Sequence, residues 1–151
     1  MTAIAIPQGG QFCGGTLIAS QWVLAASHCM FKDKDQTMPY TAAEIRAVLG
    51  DHNDDDDTES ILGEKVVEVS KIINHKDYDK VTLNNDITLL KLKEEVDLKT
   101  YTPACLPNTG DNCAGRNAWV SGNMIRTNNC PGWGATSFEG ESSSKLLVAS
   151  L

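Results

Sequence analysis

The sequence has neither a long apolar run nor a cluster of basic residues, and each absence argues against a class of protein. Its longest apolar stretches, residues 22–26 and 87–90, are far shorter than the roughly 20 residues needed to cross a bilayer, so we expect no membrane association. Acidic residues outnumber basic ones by 20 to 13, for a formal charge of −7. Because nucleic-acid binding draws its affinity from a basic face, we expect no nucleic-acid partner either.

A secretory leader is also missing, because residues 1–6 carry neither a basic segment nor a long apolar one. A secreted protein would need its leader from sequence outside these 151 residues. Zinc-type cysteine spacing is missing too, because no two cysteines are two to four residues apart. What the chain does have is five cysteines, which favour an oxidising, extracellular setting over structural zinc: Cys13, Cys29, Cys105, Cys113 and Cys130.

Sustained helical periodicity is absent, and short β-type segments alternate with turn signals instead. The predicted strands are Thr2–Ile6, Phe12–Ile18, Trp22–Ala26, Ile45–Leu49, Lys65–Ile73, Asp86–Leu92, Ala118–Ser121 and Lys145–Val148. Gly9-Gly10 predicts a hairpin between the first two, and the alternation of Val67, Val69 and Lys71 predicts a half-buried strand. The pattern indicates an all-β fold, either a sandwich or a barrel.

The most informative stretch lies between the first two cysteines. It runs from residue 12 to residue 29 and contains Phe-Cys-Gly-Gly-Thr-Leu-Ile and then Trp-Val-Leu-Ala-Ala-Ser-His-Cys. A bridge between Cys13 and Cys29 would close a loop of about 17 residues, worth on the order of 3 kcal/mol, and would hold the backbone beside His28. A histidine acting as a general base needs such a fixed orientation. The stretch alone leaves open a histidine that merely satisfies a local hydrogen bond.

A second stretch begins with an acid. Residues 84–92 read Asn-Asn-Asp-Ile-Thr-Leu-Leu-Lys-Leu, so Asp86 precedes a strongly apolar segment. Considered by itself, an aspartate at the start of a strand is commonly a solvated or capping residue.

Together the two stretches resemble the histidine and aspartate motifs of the trypsin/chymotrypsin family of serine proteases. Residues 71–78 and 103–107 resemble, in turn, the segment before the family's aspartate loop and the start of the link between its two barrels. The resemblance implies that His28 is the general base and acid, that Asp86 orients its ring, and that Cys13 and Cys29 form a disulfide.

Two residues depart from the motifs. Ser27 and Thr88 stand where the family usually has alanine, and hydroxyls buried at these positions would need hydrogen-bond partners.

The resemblance also implies the fold. We expect an antiparallel Greek-key β-barrel over residues 1–104, largely complete, followed over residues 105–151 by the inter-barrel link and a truncated second barrel. The segment Asn123 to Gly132 interrupts the family's Trp-Val-Ser-Gly-Trp-Gly pattern and adds Cys130.

The family's nucleophile motif, Gly-Asp-Ser-Gly-Gly, does not occur in the sequence, and the polar stretch at residues 140–144 lacks its glycines. The Ile-Val-Gly-Gly start that normally orders the active site is missing as well. We therefore expect a serine endopeptidase represented by an incomplete chain that is inactive alone. Its substrates would be proteins or peptides.

No cofactor is required by this chemistry. Asp51, Asn53, Asp57 and Glu59 lie in the loop that binds calcium in some members of the family, and such oxygen ligands could hold a hard cation. The alternative is a solvated acidic loop, which the adjoining run from Asp54 to Asp57 favours.

Two other interpretations of the whole chain stay open at this stage. One is a non-catalytic relative of the family that acts as a binding or regulatory module. The other is an unrelated secreted β-protein held together by disulfides, which the absence of a Cys13–Cys29 bridge would favour.

Overall fold

The computed structural model describes residues 2–7, 9–50 and 64–110. These residues form six strands: β1 (Thr2–Ala5), β2 (Gln11–Ala19), β3 (Trp22–Ala25), β4 (Arg46–Leu49), β5 (Lys65–Asn74) and β6 (Thr88–Leu92). Two short 3₁₀ turns, His28–Met30 and Ala42–Glu44, interrupt the connections. No helix among the described residues is long and apolar enough to span a bilayer. The predicted strands at Ala118–Ser121 and Lys145–Val148 lie outside the described residues.

The six strands close into one antiparallel barrel in the order β1-β2-β3-β6-β5-β4. Strands β1 to β3 follow one another as hairpins, as predicted for the Gly9-Gly10 turn, in which the Gly9 N–H donates to the Ile6 carbonyl. Closure depends on two distant pairings, β1 with β4 and β3 with β6. The all-β prediction is therefore confirmed, and so is the antiparallel barrel that the family resemblance implied for this part of the chain.

The barrel interior holds the apolar side chains that alternate along its strands. Ile4, Val23, Ile45, Leu90 and Leu92 are completely buried and belong to a single cluster. Burying a side chain of this size stabilises the fold by about 1.5–3 kcal/mol. This packed interior is the rigid support for the loops at the end of β3 and the start of β6.

Gly15 allows strands β1, β2 and β3 to approach one another closely at one point of the barrel. A Cβ atom on Gly15 would lie 2.8 Å from Val23 Cγ1 and 3.2 Å from the Leu24 carbonyl oxygen. It would also lie 3.3 Å from Ile4 Cδ1. Gly15 pairs with Ala25, so the close approach occurs just before the chain leaves β3.

Strand β5 contains an irregularity that the sequence pattern did not predict. Val67 and Val69 are buried as expected, but Lys71 is exposed, so the predicted alternation is wrong at this third position. The register against β6 shifts between Val69 and Lys71, which places one extra residue on β5. Such a bulge reverses the inside and outside positions that follow it, and inward burial resumes at Ile72.

Candidate active site

His28 lies three residues beyond the end of β3, at the start of the first 3₁₀ turn. The Met30 N–H donates to the Ser27 carbonyl at 3.0 Å, which closes this turn. A disulfide joins Cys13 on β2 to Cys29, with their Cα atoms 6.2 Å apart. The crosslink implied by the sequence is therefore present, and because Cys29 belongs to the buried core it anchors the backbone beside His28. The imidazole itself remains accessible, with 51% of the side chain exposed.

Asp86 lies in a three-residue turn just before β6. The Ile87 N–H donates to the Asn85 carbonyl at 2.8 Å, and Asn85 has a φ of 57°, in the left-handed region that asparagine tolerates. The Asn85 side-chain amide donates to the Asp77 carbonyl at 2.9 Å. This turn explains why β6 begins at Thr88 and not at Asp86 as predicted, because the extended ladder cannot include a left-handed residue and a tight turn.

The loop that leads to Asp86 is closed at its base. The Asp79 N–H donates to the Asn84 carbonyl at 3.0 Å. The Asp79 carboxylate accepts from the Val81 N–H at 2.8 Å and from the Thr82 hydroxyl at 2.8 Å. These bonds lower the pKa of Asp79 and keep the loop compact on its approach to Asp86.

The structure brings His28 and Asp86 together through two hydrogen bonds. His28 Nδ1 lies 2.7 Å from Asp86 Oδ2, and the His28 backbone N–H donates to Asp86 Oδ1 at 2.8 Å. When the carboxylate is ionised it only accepts hydrogen bonds, so Nδ1 carries a proton, and in the neutral ring Nε2 then keeps its lone pair. Nε2 lies 3.5 Å from Cys29 Sγ, on the side of the ring away from the carboxylate. The arrangement leaves one oriented ring nitrogen able to accept a proton.

The hydroxyls at the two departures from the motifs both have partners. Ser27 is completely buried and its Oγ donates to the Ile87 carbonyl at 2.7 Å. Thr88, 1% exposed, has its Oγ1 within 2.7 Å of Asn74 Oδ1 and 3.0 Å of the Ile73 carbonyl. The expectation that buried hydroxyls here would be satisfied is confirmed.

Tyr78 lies in the segment before the aspartate loop and is held by residues that follow the first 3₁₀ turn. Its ring stacks on Phe31 with centroids 6.4 Å apart, and its hydroxyl donates to Gln36 Oε1 at 2.6 Å. Burial raises the pKa of Tyr78, and the negative charges of Asp86 and Asp79 raise it further. The phenol is therefore neutral at pH 7. Neither Tyr78 nor Asn85 was predicted as a residue of the site, although the Asn84-Asn85 dipeptide is a signal for a left-handed position.

The chain has two groups of candidate metal ligands, one beside His28 and one in the acidic loop. Cys13 Sγ, Cys29 Sγ and a ring nitrogen of His28 lie within 4.8 Å of one another, but the two sulphurs are bonded to each other, and metal binding requires thiolates. The candidate calcium ligands Asp51, Asn53, Asp57 and Glu59 lie outside the described residues. Of the other cysteines, Cys105 is an exposed free thiol, and Cys113 and Cys130 fall outside the described ranges.

Comparison with known proteins agrees with this geometry. The family model described as Trypsin matches residues 1–148. Trypsin V-A of Rattus norvegicus is 34% identical over 149 residues, which is 95% of this chain and 48% of that protein. Trypsin II-P29 of Gallus gallus is 36% identical over 147 residues, or 95% of this chain and 48% of that protein.

A human relative covers a shorter stretch. Serine protease 1 of Homo sapiens is 37% identical over 116 residues, which is 73% of this chain and 41% of that protein. The chain thus spans about half the length of the relatives it matches. The match over nearly the whole chain shows that this protein belongs to the trypsin family of serine proteases.

Proposed function

We propose that the chain supplies the general base and its orienting acid to a serine endopeptidase of the extracellular space, acting on proteins or peptides. The observation that carries the proposal is the His28–Asp86 pair, in which one carboxylate holds both the ring and the backbone of the same histidine. Family membership supplies the reaction class, which is acyl transfer from a peptide bond to a serine hydroxyl.

The roles of His28 and Asp86 follow from where the protons move during the reaction. Nε2 of His28 takes the proton of the attacking serine hydroxyl and returns it to the leaving amine. Asp86 accepts the hydrogen bond from the Nδ1–H throughout without taking the proton, keeps the ring in one tautomer and stabilises the imidazolium that forms. The disulfide beside His28 limits the motion of the backbone that carries the ring. The two groups are already paired in the absence of substrate, so little reorganisation is required of them during the reaction.

The nucleophile has to come from elsewhere. The Gly-Asp-Ser-Gly-Gly pattern does not occur among these 151 residues. We therefore propose that the chain by itself does not hydrolyse peptides. The substrate preference and the partners are those of the complete protein. The alternative, a binding or regulatory module that has lost catalysis, is not favoured, because it gives no reason for an intact hydrogen-bonded base and acid.

Calcium is not required by this chemistry. We keep the loop with Asp51, Asn53, Asp57 and Glu59 as a proposed calcium site, resting on its carboxylate content alone. Calorimetric titration of calcium into the purified chain tests it, and the absence of binding heat at millimolar calcium would remove the site from the proposal.

The experiment for the catalytic proposal uses the transcript that encodes this chain. Peptide hydrolysis is measured for this chain and for the complete product, each beside a His28→Ala control. We expect no hydrolysis from the 151 residues and His28-dependent hydrolysis from the complete product. Asp86→Asn in the latter should lower kcat by about 10⁴-fold, the loss known for the same change in a related triad. Hydrolysis that survives His28→Ala, or a transcript that encodes no serine motif, would overturn the proposal.

A further inference from the structure

One backbone carbonyl beside Asp86 is held from two sides. The Ile87 carbonyl accepts the Ser27 hydroxyl at 2.7 Å and the His75 backbone N–H at 3.0 Å. His75 directly follows β5, and Ser27 follows β3. Three separate segments of the chain therefore meet at a single oxygen atom, one residue away from the carboxylate of the active-site pair.

Because of its position in the sequence, Ser27 joins the same two segments that the His28–Asp86 pair joins. Ser27 precedes His28 in the sequence, and Ile87 follows Asp86. The bond between Ser27 and Ile87 is therefore a second contact between the two segments that contain His28 and Asp86. The inner contact is the pair of bonds from His28 to the Asp86 carboxylate. The outer contact is the Ser27 hydroxyl on the Ile87 carbonyl. With both in place, neither segment can slide along the other without breaking three hydrogen bonds.

Burial makes the outer contact persistent. Ser27 has 0% exposure, so water cannot readily replace Ile87 as the partner of its hydroxyl. The His28 side chain, in contrast, is 51% exposed, so its bond to Asp86 can open to solvent. A fixed contact one residue away limits how far the opened pair can separate and raises the chance that it closes again.

We propose that Ser27 is a positioning residue that holds the His28 and Asp86 segments in register through the Ile87 carbonyl. Its importance for catalysis rests on the proposed function, but the structural effect does not. Replacing Ser27 by alanine removes the hydroxyl, while the Ile87 carbonyl keeps the His75 N–H as a donor. The loss is therefore that of one hydrogen bond, without an orphaned buried acceptor, and should be felt locally.

The test is hydrogen exchange of individual backbone amides in the purified chain, which reports local opening. The His28 amide is the probe, because it donates to Asp86 Oδ1. The Val96 amide, which donates to the Ser20 carbonyl at 2.8 Å, is a reference elsewhere in the structure. In Ser27→Ala the His28 amide should exchange about five-fold faster, the factor expected for one net hydrogen bond, while Val96 changes little.

Ser70→Ala is the matched control. The Ser70 hydroxyl also bonds a backbone carbonyl of the neighbouring strand, that of Lys91 at 3.0 Å, but it is not next to the pair. This variant should leave the His28 amide unchanged. The proposal is overturned if Ser27→Ala leaves His28 exchange unchanged, if it speeds His28 and Val96 equally, or if it unfolds the barrel. Each result would make Ser27 either irrelevant or a purely structural residue.

A second measurement separates this inference from the proposed function. In the complete protease, Ser27→Ala should lower kcat several-fold and leave KM unchanged, since the substrate does not contact Ser27. If the complete protein shows no peptide hydrolysis at all, the catalytic proposal fails, and the exchange experiment still decides whether Ser27 holds the two segments together.

Discussion

Removal of the Cys13–Cys29 disulfide is the perturbation whose size can be worked out most directly. The bridge joins Cys13, near the start of β2, to the turn that carries His28, across a sequence separation of 16 residues. The same two segments are already paired as a hairpin, with Gly15 opposite Ala25 and Leu17 opposite Val23. The folded barrel should therefore keep its topology when the bridge is lost. The loss of unfolding free energy should come mainly from the greater conformational freedom of the unfolded chain.

The magnitude follows from loop closure. For a loop of this length, the crosslink removes conformational freedom from the unfolded chain worth about 3 kcal/mol. Cys29 is 6% exposed, so its truncation to alanine also removes a buried sulphur and adds about 1 kcal/mol. The double variant Cys13→Ala/Cys29→Ala should therefore lose about 3–4 kcal/mol of unfolding free energy. This is a large share of the roughly 5–15 kcal/mol available to a domain.

Urea unfolding followed by far-ultraviolet circular dichroism measures the loss. The m value should rise, because the uncrosslinked chain exposes more surface when unfolded. Wild-type protein with its disulfide reduced separates the crosslink from the packing change and should account for about 3 kcal/mol by itself. Cys105→Ala, at an exposed thiol, is the control and should leave stability unchanged. A loss below about 1 kcal/mol in the reduced wild type, with an unchanged m value, would refute the reasoning.

Three further predictions concern the barrel. Leu90→Ala, at a completely buried position, should cost about 2–5 kcal/mol in urea unfolding, whereas Leu106→Ala, 59% exposed, should change stability by less than about 0.5 kcal/mol. Gly15→Ala should cost about 1–3 kcal/mol, because the added Cβ would lie too close to Val23; a neutral result would show that the strands can separate freely there. Folding lowers the pKa of Glu44 from 4.5 to about 2, mainly through its hydrogen bond with a lysine. The stabilisation that the ionised Glu44 gives to the folded state is therefore complete above pH 4.5 and is lost as the pH falls towards 2. The melting temperature should fall across this window, and it should fall less steeply in Glu44→Gln.

Local patterns in the sequence were sufficient for the strands, whereas the pair was identified through the family resemblance. Alternating burial and turn residues located all six described strands to within a few residues. His28 and Asp86 were found through their motifs, which are 58 residues apart but meet at 2.7 Å. The periodicity of the sequence could not have shown that these two residues meet; the family resemblance implied it.

Periodicity along the sequence did not predict which distant strands pair; only the family resemblance implied a barrel. Closure of the barrel requires β1 to pair with β4, and the bulge that exposes Lys71 exists only in relation to β6. The start of β6 was misplaced because the left-handed Asn85 and the turn at Asp86 are set by bonds to neighbouring loops. The insert Asn123 to Gly132, the division at residue 104 and the second barrel remain predictions.

The closed base of the loop before Asp86 makes its tip a permissive place for added sequence. Val81 is 85% exposed, and the Asp79–Asn84 bond separates the tip from the turn that aims the carboxylate. An epitope tag inserted between residues 82 and 83 would lengthen only the tip, and each doubling of loop length costs just about 0.6 kcal/mol. The same separation would let natural variants differ in length here while the acid stays in place.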